Sequence, residues 1–356
     1  MQQQAHGGNL VWAAALAGCP PDAILDFSAS ISPLGLPNSV IAAIMSQLGH
    51  LRNYPDPEYS ELRLALSHFH QIPPEWILPG NGSAELLTLA GRELGQLAAT
   101  GLITPAFGDY YRTLAAYGVK VREFPLWGVG SGELGVEGED DSRNWGLILN
   151  NPHNPTGRLW ARDLILPYLA QFAEVVVDEA FMDFLPPEAE QSLISLVPKY
   201  ENLVVLRSLT KFYSLPGLRL GYAIAHPRRL SRWQSWRDPW PVNTLAAAAA
   251  IAAIQDQEFQ QQTWTWLPPA RKQLFDGLVA IPGLRPIESS VNFLLVESQY
   301  PTSKLQQKLL QQHQILIRNC LSFKELGDRF FRIAVRTDSE NQQLLTALKS
   351  LLSHDF

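Results

Sequence analysis

One strand-to-loop transition constrains this chain more than any other feature. Asn202–Tyr222, NLVVLRSLTKFYSLPGLRLGY, runs from a short Leu/Val strand straight into a burst of hydroxyls and an amine. Asn202–Leu206 reads as a buried strand, and Arg207, Ser208, Thr210, Lys211, Tyr213 and Ser214 follow it as a polar loop. In open parallel α/β sheets ligands gather at the C-terminal ends of strands. A lysine held there in an apolar, partly dry pocket has a depressed pKa and attacks a carbonyl as a neutral amine, giving a Schiff base. Lys211 is therefore the first candidate. A solvated loop lysine is the other reading of that residue, and it leaves the hydroxyls before it and Arg219 after it unexplained.

The same transition recurs upstream. At Pro79–Leu87 a Gly-rich turn opens into an apolar helix, so free backbone amides, the Ser83 hydroxyl and the helix dipole form an anion cradle. It has neither the Gly-Lys pair nor the glycine spacing of the nucleotide-binding loops; a plain capped turn reads the same residues. Leu102–Thr104 is a strand that ends in Pro-Ala-Phe-Gly-Asp-Tyr, which sets Phe107 and Tyr110 at a strand end, to stack on a flat ligand or to join the core. Trp145–Leu149 runs into Asn-Asn-Pro-His-Asn-Pro-Thr-Gly, a rigid loop with fixed amides. Glu174–Asp178 closes three valines with an acid, which has to be buried and to have a cationic or hydrogen-bonding partner. Strand and helix thus alternate from about residue 77 to 225, an α/β pattern of a doubly wound sheet whose polar loops share one edge.

The flanks differ. Residues 1–35 carry His-Gly-Gly-Asn at 6–9, a short helix, and Asp-Phe-Ser-Ala-Ser-Ile-Ser-Pro from Asp26. Helices are expected at Asn38–Leu48 and Ser60–His70, where His68 and His70 point to different faces and make a poor metal pair, better read as solvated. After Pro241 come one long helix at Thr244–Gln262, another at Leu274–Ile281, and strands at Asn292–Val296, Ile315–Arg318 and Phe330–Val335. The expected division is an N-terminal segment 1–48, a large domain 49–240 and a small α+β domain 241–356. A net charge of -6 over 356 residues argues against nucleic-acid or anionic-membrane partners. The longest apolar run, Leu245–Ile254, is too short to span a bilayer, and the start lacks a leader pattern, so a cytoplasmic location is expected. With only Cys19 and Cys320, neither a disulfide framework nor a cysteine metal site is suggested.

A lysine, a buried acid, an aromatic, an Asn-rich loop and an anion cradle supplemented by Ser208, Thr210 and Arg219 meet at one sheet edge. Pyridoxal phosphate answers each: an aldehyde for the lysine, a ring nitrogen for the acid, a phenolate for an amide, a flat face for stacking and a phosphate.

On Asn154-Pro-Thr-Gly157, Asp178-Glu-Ala180 and Ser208-Leu-Thr-Lys211 with Arg219 eight residues on, nearly the whole chain resembles the fold-type I pyridoxal-phosphate enzymes of the aspartate aminotransferase superfamily. The resemblance implies a mostly parallel central sheet with helices on both faces plus a smaller α+β domain. It implies Lys211 as the lysine that carries the cofactor, Asp178 on the ring nitrogen, Asn154 on the ring oxygen and Phe107 against the ring. Gly82, Ser83, Ser208 and Arg219 would hold the phosphate, and Tyr54 would reach the neighbouring subunit's cofactor in a homodimer.

Within the superfamily, His-Gly-Gly-Asn (6–9), Asp-Phe-Ser-Ala (26–29), Asp-Glu-Ala-Phe (178–181) and Arg-Ser-Leu-Thr-Lys-Phe-Tyr (207–213) resemble the threonine-phosphate decarboxylases. Histidinol-phosphate aminotransferases are similar but carry a Tyr where this chain has Phe181. Ser30 and Ser32 stand where the decarboxylase pattern has asparagines. The resemblance implies His6, Gly7, Ser30, Asn154, Arg318 and Arg332 as substrate contacts. Two arginines suit a substrate with a carboxylate and a phosphate. The implied reaction is release of CO2 from L-threonine O-3-phosphate, giving 1-aminopropan-2-ol phosphate for cobalamin biosynthesis. Transamination of histidinol phosphate is the alternative, and a non-catalytic regulator lacks a DNA-binding segment here.

Overall fold

Continuous runs of Leu, Ile and Val, apolar on both faces, can only be satisfied in a sheet covered on both sides. The computed structural model, which describes residues 7–126 and 142–354, lays them out in that way. Its chain divides into a larger unit, Gly35–Pro152 with Leu159–Gln262, and a smaller one made of the residues up to Leu34, His153–Arg158 and Thr263 onward. β1 (Leu25–Asp26) belongs to the smaller unit.

The larger unit's sheet contains β2 (Ile77–Asn81), β3 (Ala99–Thr104), β4 (Val121–Pro125), β5 (Trp145–Asn150), β6 (Glu174–Asp178), β7 (Leu203–Ser208) and β8 (Leu220–Ile224), in the order β2-β8-β7-β6-β5-β3-β4. All neighbours are parallel except β8, which is antiparallel to both β2 and β7. Helices Ser83–Leu94, Gly108–Ala116 and Pro227–Gln234 cover Leu102, Ile148, Val176 and Val204 on one face. Leu147, Leu149, Val175, Val177 and Val205, which alternate with them, are equally buried. Because β2 runs in the same sense as β7, the C-terminal ends of β2, β3, β5, β6 and β7 share one edge. There Asn81 pairs with Leu220, Ser208 with Gly221, and Asn150 with Asp178.

Several expectations shift. Arg207 and Ser208 are strand residues, paired with Tyr222 and Gly221, so the loop begins at Leu209. The helix expected at Thr244–Gln262 is two, Thr244–Gln255 and Gln257–Val279, and the second absorbs the one expected at Leu274–Ile281. Asp256 makes the break: its carboxylate accepts from Phe259 N–H at 2.9 Å and from the Ser39 hydroxyl at 2.5 Å. That second bond, with packing of helices Asn38–Gln47 and Thr244–Gln255, is why the division departs from the expected boundaries at 48 and 240. His70 is only partly exposed: its Nε2 is 2.7 Å from the Tyr222 hydroxyl, and burial, with Arg207 nearby, holds its pKa well below the usual range.

In the smaller unit, β9 (Leu284–Pro286), β10 (Phe293–Ser298), β12 (Arg318–Asn319) and β13 (Phe330–Ala334) form an antiparallel sheet, order β12-β13-β10-β9. β11 (Ile315–Leu316) pairs in parallel with β1 instead. The strand expected at Ile315–Arg318 is thus split at Ile317 between two sheets. Helix Leu10–Ala17 is capped by Asn9 and closed by Gly18 at φ 69°. Phe27 C=O accepts from Ala334 N–H at 2.8 Å, which ties the Asp26–Ser32 segment to β13. No helix among the described residues is long and apolar enough to cross a membrane.

Candidate active site

The shared edge of the larger unit's sheet gathers most of the residues singled out in the sequence. β7 ends at Ser208 and the next turn carries Lys211, whose Nζ lies 3.4 Å from Ser208 Oγ and 3.5 Å from Thr210 Oγ1. Ser208 and Thr210 hydroxyls are themselves 2.8 Å apart, so a short polar chain leads from the strand to the amine. The ammonium also sits 5.1 Å from the centroid of the Phe181 ring.

Next to this, Gly82 (φ 75°) ends the β2 turn and helix Ser83–Leu94 starts. Space is confined: a Cβ at Gly82 would lie 2.7 Å from Arg219 Nη2, and one at Gly221 would lie 2.5 Å from Ser83 N. Backbone amides, a hydroxyl and a guanidinium therefore converge where only glycines fit, which is what a phosphate requires. Glu85 turns back to accept from Asn81 N–H at 2.6 Å, fixing the turn.

Asp178, at the end of β6, is 8% exposed. The Tyr110 hydroxyl donates to its Oδ2 at 2.7 Å and Ala180 N–H to its Oδ1 at 3.0 Å. Burial raises its pKa above the usual carboxylate range, against the pull of Tyr110, Lys211 and Ala180 N–H. A carboxyl placed so gains from a cationic ring nitrogen. Phe107, half-buried, meets Tyr110 edge-on at 5.6 Å. Tyr54 stands apart, 78% exposed and stacked on Trp240.

The smaller unit holds the remaining candidates. Arg318 and Arg332 are Cα partners across β12 and β13, so both side chains leave the same face of the sheet. Arg332 donates through Nη1 to the Asn154 amide oxygen and lies over the Phe293 ring at 4.9 Å. Burial, with Arg318 beside it, pushes its pKa down to about 10. Arg318 is 6% exposed, donates to Ser322 Oγ at 2.7 Å, and is likewise lowered by burial. Cys320 packs in the same strand turn, its thiol pushed up to about 12 by burial. Gly7 passes so close to Ser28 that a Cβ would lie 2.2 Å from the Ser28 carbonyl oxygen. Gly8 N–H donates to Ser28 Oγ at 2.8 Å, and that hydroxyl donates to Asp26 at 2.6 Å. Ser30 is 5% exposed, and its hydroxyl makes no hydrogen bond among the described residues. His6 lies outside the described residues.

Sequence reasoning did not find Tyr110 as the partner of Asp178, since the two are 68 residues apart and the aromatic was read only as a stacking or core group. It also did not find the cluster in which Arg207 meets Glu179 (3.1 Å), Asp183 (2.8 Å) and Glu190 (3.2 Å). An arginine inside a strand of valines and leucines was the available signal.

An amine, a buried carboxyl favouring a cationic partner, and a glycine-lined helix start with an arginine make a donor set that fits pyridoxal phosphate. Comparisons with known proteins agree in kind. Residues 22–348 match the model of the aminotransferase class I and II family. The chain is 38% identical to the threonine-phosphate decarboxylase of Salmonella typhimurium, covering 98% of this chain and 97% of that one. It is 31% identical to the adenosylcobalamin biosynthesis bifunctional protein of Leptospira interrogans, over 97% of this chain and 41% of that longer protein. The histidinol-phosphate aminotransferase structure from Clostridium acetobutylicum superposes with a TM-score of 0.85 at 28% identity, over 93% of this chain and 99% of that one.

Proposed function

The chain belongs to the class I and II aminotransferase family, and on that premise we propose that it is a pyridoxal-phosphate-dependent decarboxylase of L-threonine O-3-phosphate. The observation that carries the reading is the likeness over almost all of both chains to a threonine-phosphate decarboxylase. The paired, buried Arg318 and Arg332 support it, since two guanidiniums on one face suit a substrate with two anionic ends. The product is 1-aminopropan-2-ol phosphate, for cobalamin biosynthesis.

When bound, pyridoxal phosphate supplies an aldehyde carbon for amines and a ring that accepts the electron pair of whichever substrate Cα bond stands perpendicular to it. The protein's own groups do the rest. Gly82, Ser83, Ser208, Thr210 and Arg219 would hold the phosphate; Asp178, oriented by Tyr110, would keep the ring nitrogen protonated; Asn154 would hold the ring oxygen, and Phe107 would stack on the ring. Lys211 would hold the cofactor through its aldehyde carbon between turnovers. Arg318 and Arg332 would take the substrate's carboxylate and phosphate, and His6, Gly7 and Ser30 would fix the substrate pose that selects the Cα–carboxylate bond for cleavage. With CO2 lost from the Cα–carboxylate bond, the Lys211 ammonium would give a proton to Cα and be left as the amine, so that the carbon ends with hydrogen in place of carboxylate. Two copies form a homodimer, in which Tyr54 reaches the partner's cofactor.

The test runs two assays on one preparation: CO2 from L-threonine phosphate, and glutamate-dependent amino transfer to imidazole-acetol phosphate. CO2 release without consumption of 2-oxoglutarate is expected, and Lys211→Ala should abolish it in a protein that stays folded. Amino transfer with no CO2 would make the protein an aminotransferase. Wild-type turnover by Lys211→Ala would sink the cofactor assignment.

A further inference from the structure

Tyr54 sits in the loop between helices Asn38–Gln47 and Ser60–His70, and it is the most exposed large aromatic among the described residues, at 78%. A phenol that projects so far samples many rotamers, and ordering it on a ligand costs entropy. Here it is not left to itself. Its ring lies against the indole of Trp240 with centroids 4.3 Å apart and planes 22° from parallel. Trp240 is itself 43% exposed and is flanked by Pro239 and Pro241, which stiffen the chain on either side.

Both ends of the segment that presents this indole are fastened. At one end Arg237 donates to the Pro79 carbonyl at 2.5 Å, in the strand that leads to the Gly82 turn. At the other, the buried Tyr59 hydroxyl donates to Val242 C=O at 3.1 Å and accepts from Val242 N–H at 3.0 Å. Tyr59 takes a left-handed φ of 49° to do so, an unusual conformation for a bulky side chain. The Tyr54 loop is tied to the same place, because the Asp56 carboxylate accepts from the N–H groups of Glu58 (3.0 Å) and Ser60 (2.8 Å) on either side of Tyr59. Tyr59 is thus the common anchor of the loop that carries the phenol and the segment that carries the indole. A chance surface pair needs no such anchoring.

We propose that Trp240 is a positioning residue for Tyr54: it holds the exposed phenol in the orientation in which a second copy of this chain receives it at its cofactor. This rests on the reading that Tyr54 serves the neighbouring subunit. In that role Trp240 acts on Tyr54 alone, by reducing the rotamer freedom that the phenol would otherwise lose on engagement.

The experiment titrates pyridoxal phosphate out of and back into the full-length protein and follows the absorbance of the lysine-bound form, for wild type, Tyr54→Phe, Trp240→Ala, Trp240→Phe and the double variant Tyr54→Phe/Trp240→Ala. Sedimentation checks that each remains a dimer. Tyr54→Phe should weaken cofactor retention about tenfold, the usual effect of one charge-assisted hydrogen bond. Trp240→Ala should weaken it about threefold to tenfold, as expected for an aromatic pair, and Trp240→Phe should restore most of the loss. In the double variant the indole should no longer matter, so its retention should match that of Tyr54→Phe. Unchanged retention in Tyr54→Phe would overturn the reading on which the proposal rests. Weakened retention in Tyr54→Phe with none in Trp240→Ala, or effects that add in the double variant, would overturn the role of Trp240 alone. Dissociation of Trp240→Ala into monomers would make the indole an interface residue instead and would also overturn it.

Discussion

Two buried arginines, one in each unit, are given opposite work. Arg207, in β7, is ringed by Glu179, Asp183 and Glu190 within 3.2 Å. Burial draws its pKa down, but Asp183, Tyr222, Glu179 and Glu190 outweigh that and hold it well above the ordinary value. Arg332, in β13, meets the neutral Asn154 amide and the face of Phe293, with the Arg318 guanidinium adding to the effect of burial. A guanidinium whose charge is already answered by carboxylates has nothing left for an incoming anion. One surrounded by amide, aromatic ring and a like charge gains most from an anion. The first arginine builds the sheet edge; the second is suited to bind.

Removing each should separate the two roles. Arg207→Met leaves three carboxylates beneath the edge without their cation, and breaking a buried ion cluster in this way costs about 3–5 kcal/mol. Denaturant unfolding should show a loss of that size, with activity per folded molecule falling less. Arg332→Ala should do the reverse. Turnover of L-threonine phosphate should drop roughly 10²–10³-fold, about 2.7–4 kcal/mol at the transition state, with unfolding stability unchanged or raised because a buried, poorly compensated charge is gone. If both variants lose equal stability and both keep activity per folded molecule, the distinction between the arginines fails.

The larger unit's edge was far more legible in the sequence than the arginine pair, for reasons that lie in the backbone. Parallel strands put their C-terminal ends together whatever the side chains, so Asp178 at the end of three valines and Lys211 after a Leu/Val run declared their place. Helix Ser60–His70 could be read to the residue for a similar reason, from a local pattern. Arg318 and Arg332 become a pair only through the register of β12 on β13, which no local pattern encodes, and their candidacy came from resemblance. Tyr110 on Asp178 and Tyr222 on His70 are likewise long-range contacts. The helix break at Asp256 was missed because the Ala-rich periodicity ran on past it, although an aspartate three residues before Phe259 was a usable capping signal.

The carboxylates around Arg207 outnumber it, and that imbalance yields the last and smallest test of the comparison. Glu179 is fully buried, faces Arg207, Glu190, the Ser192 hydroxyl and Leu193 N–H, and has Asp183 on the other side of the same guanidinium. Burial pushes its pKa up to about 7, against the pull of Arg207, Ser192 and Leu193 N–H. A raised acid pKa means that the folded protein keeps a proton the unfolded chain has released. The stability this gives is fully present below about pH 4.5 and is lost as pH rises through about 7, a change of ~3 kcal/mol at most. Glu179→Gln carries a neutral group at every pH, so it should match wild type at pH 4 and exceed it in unfolding free energy at pH 8. Parallel stability curves for the two proteins from pH 5 to 8 would show Glu179 ionised throughout. Arg207 would then be fully balanced by charged carboxylates, which would sharpen its contrast with Arg332.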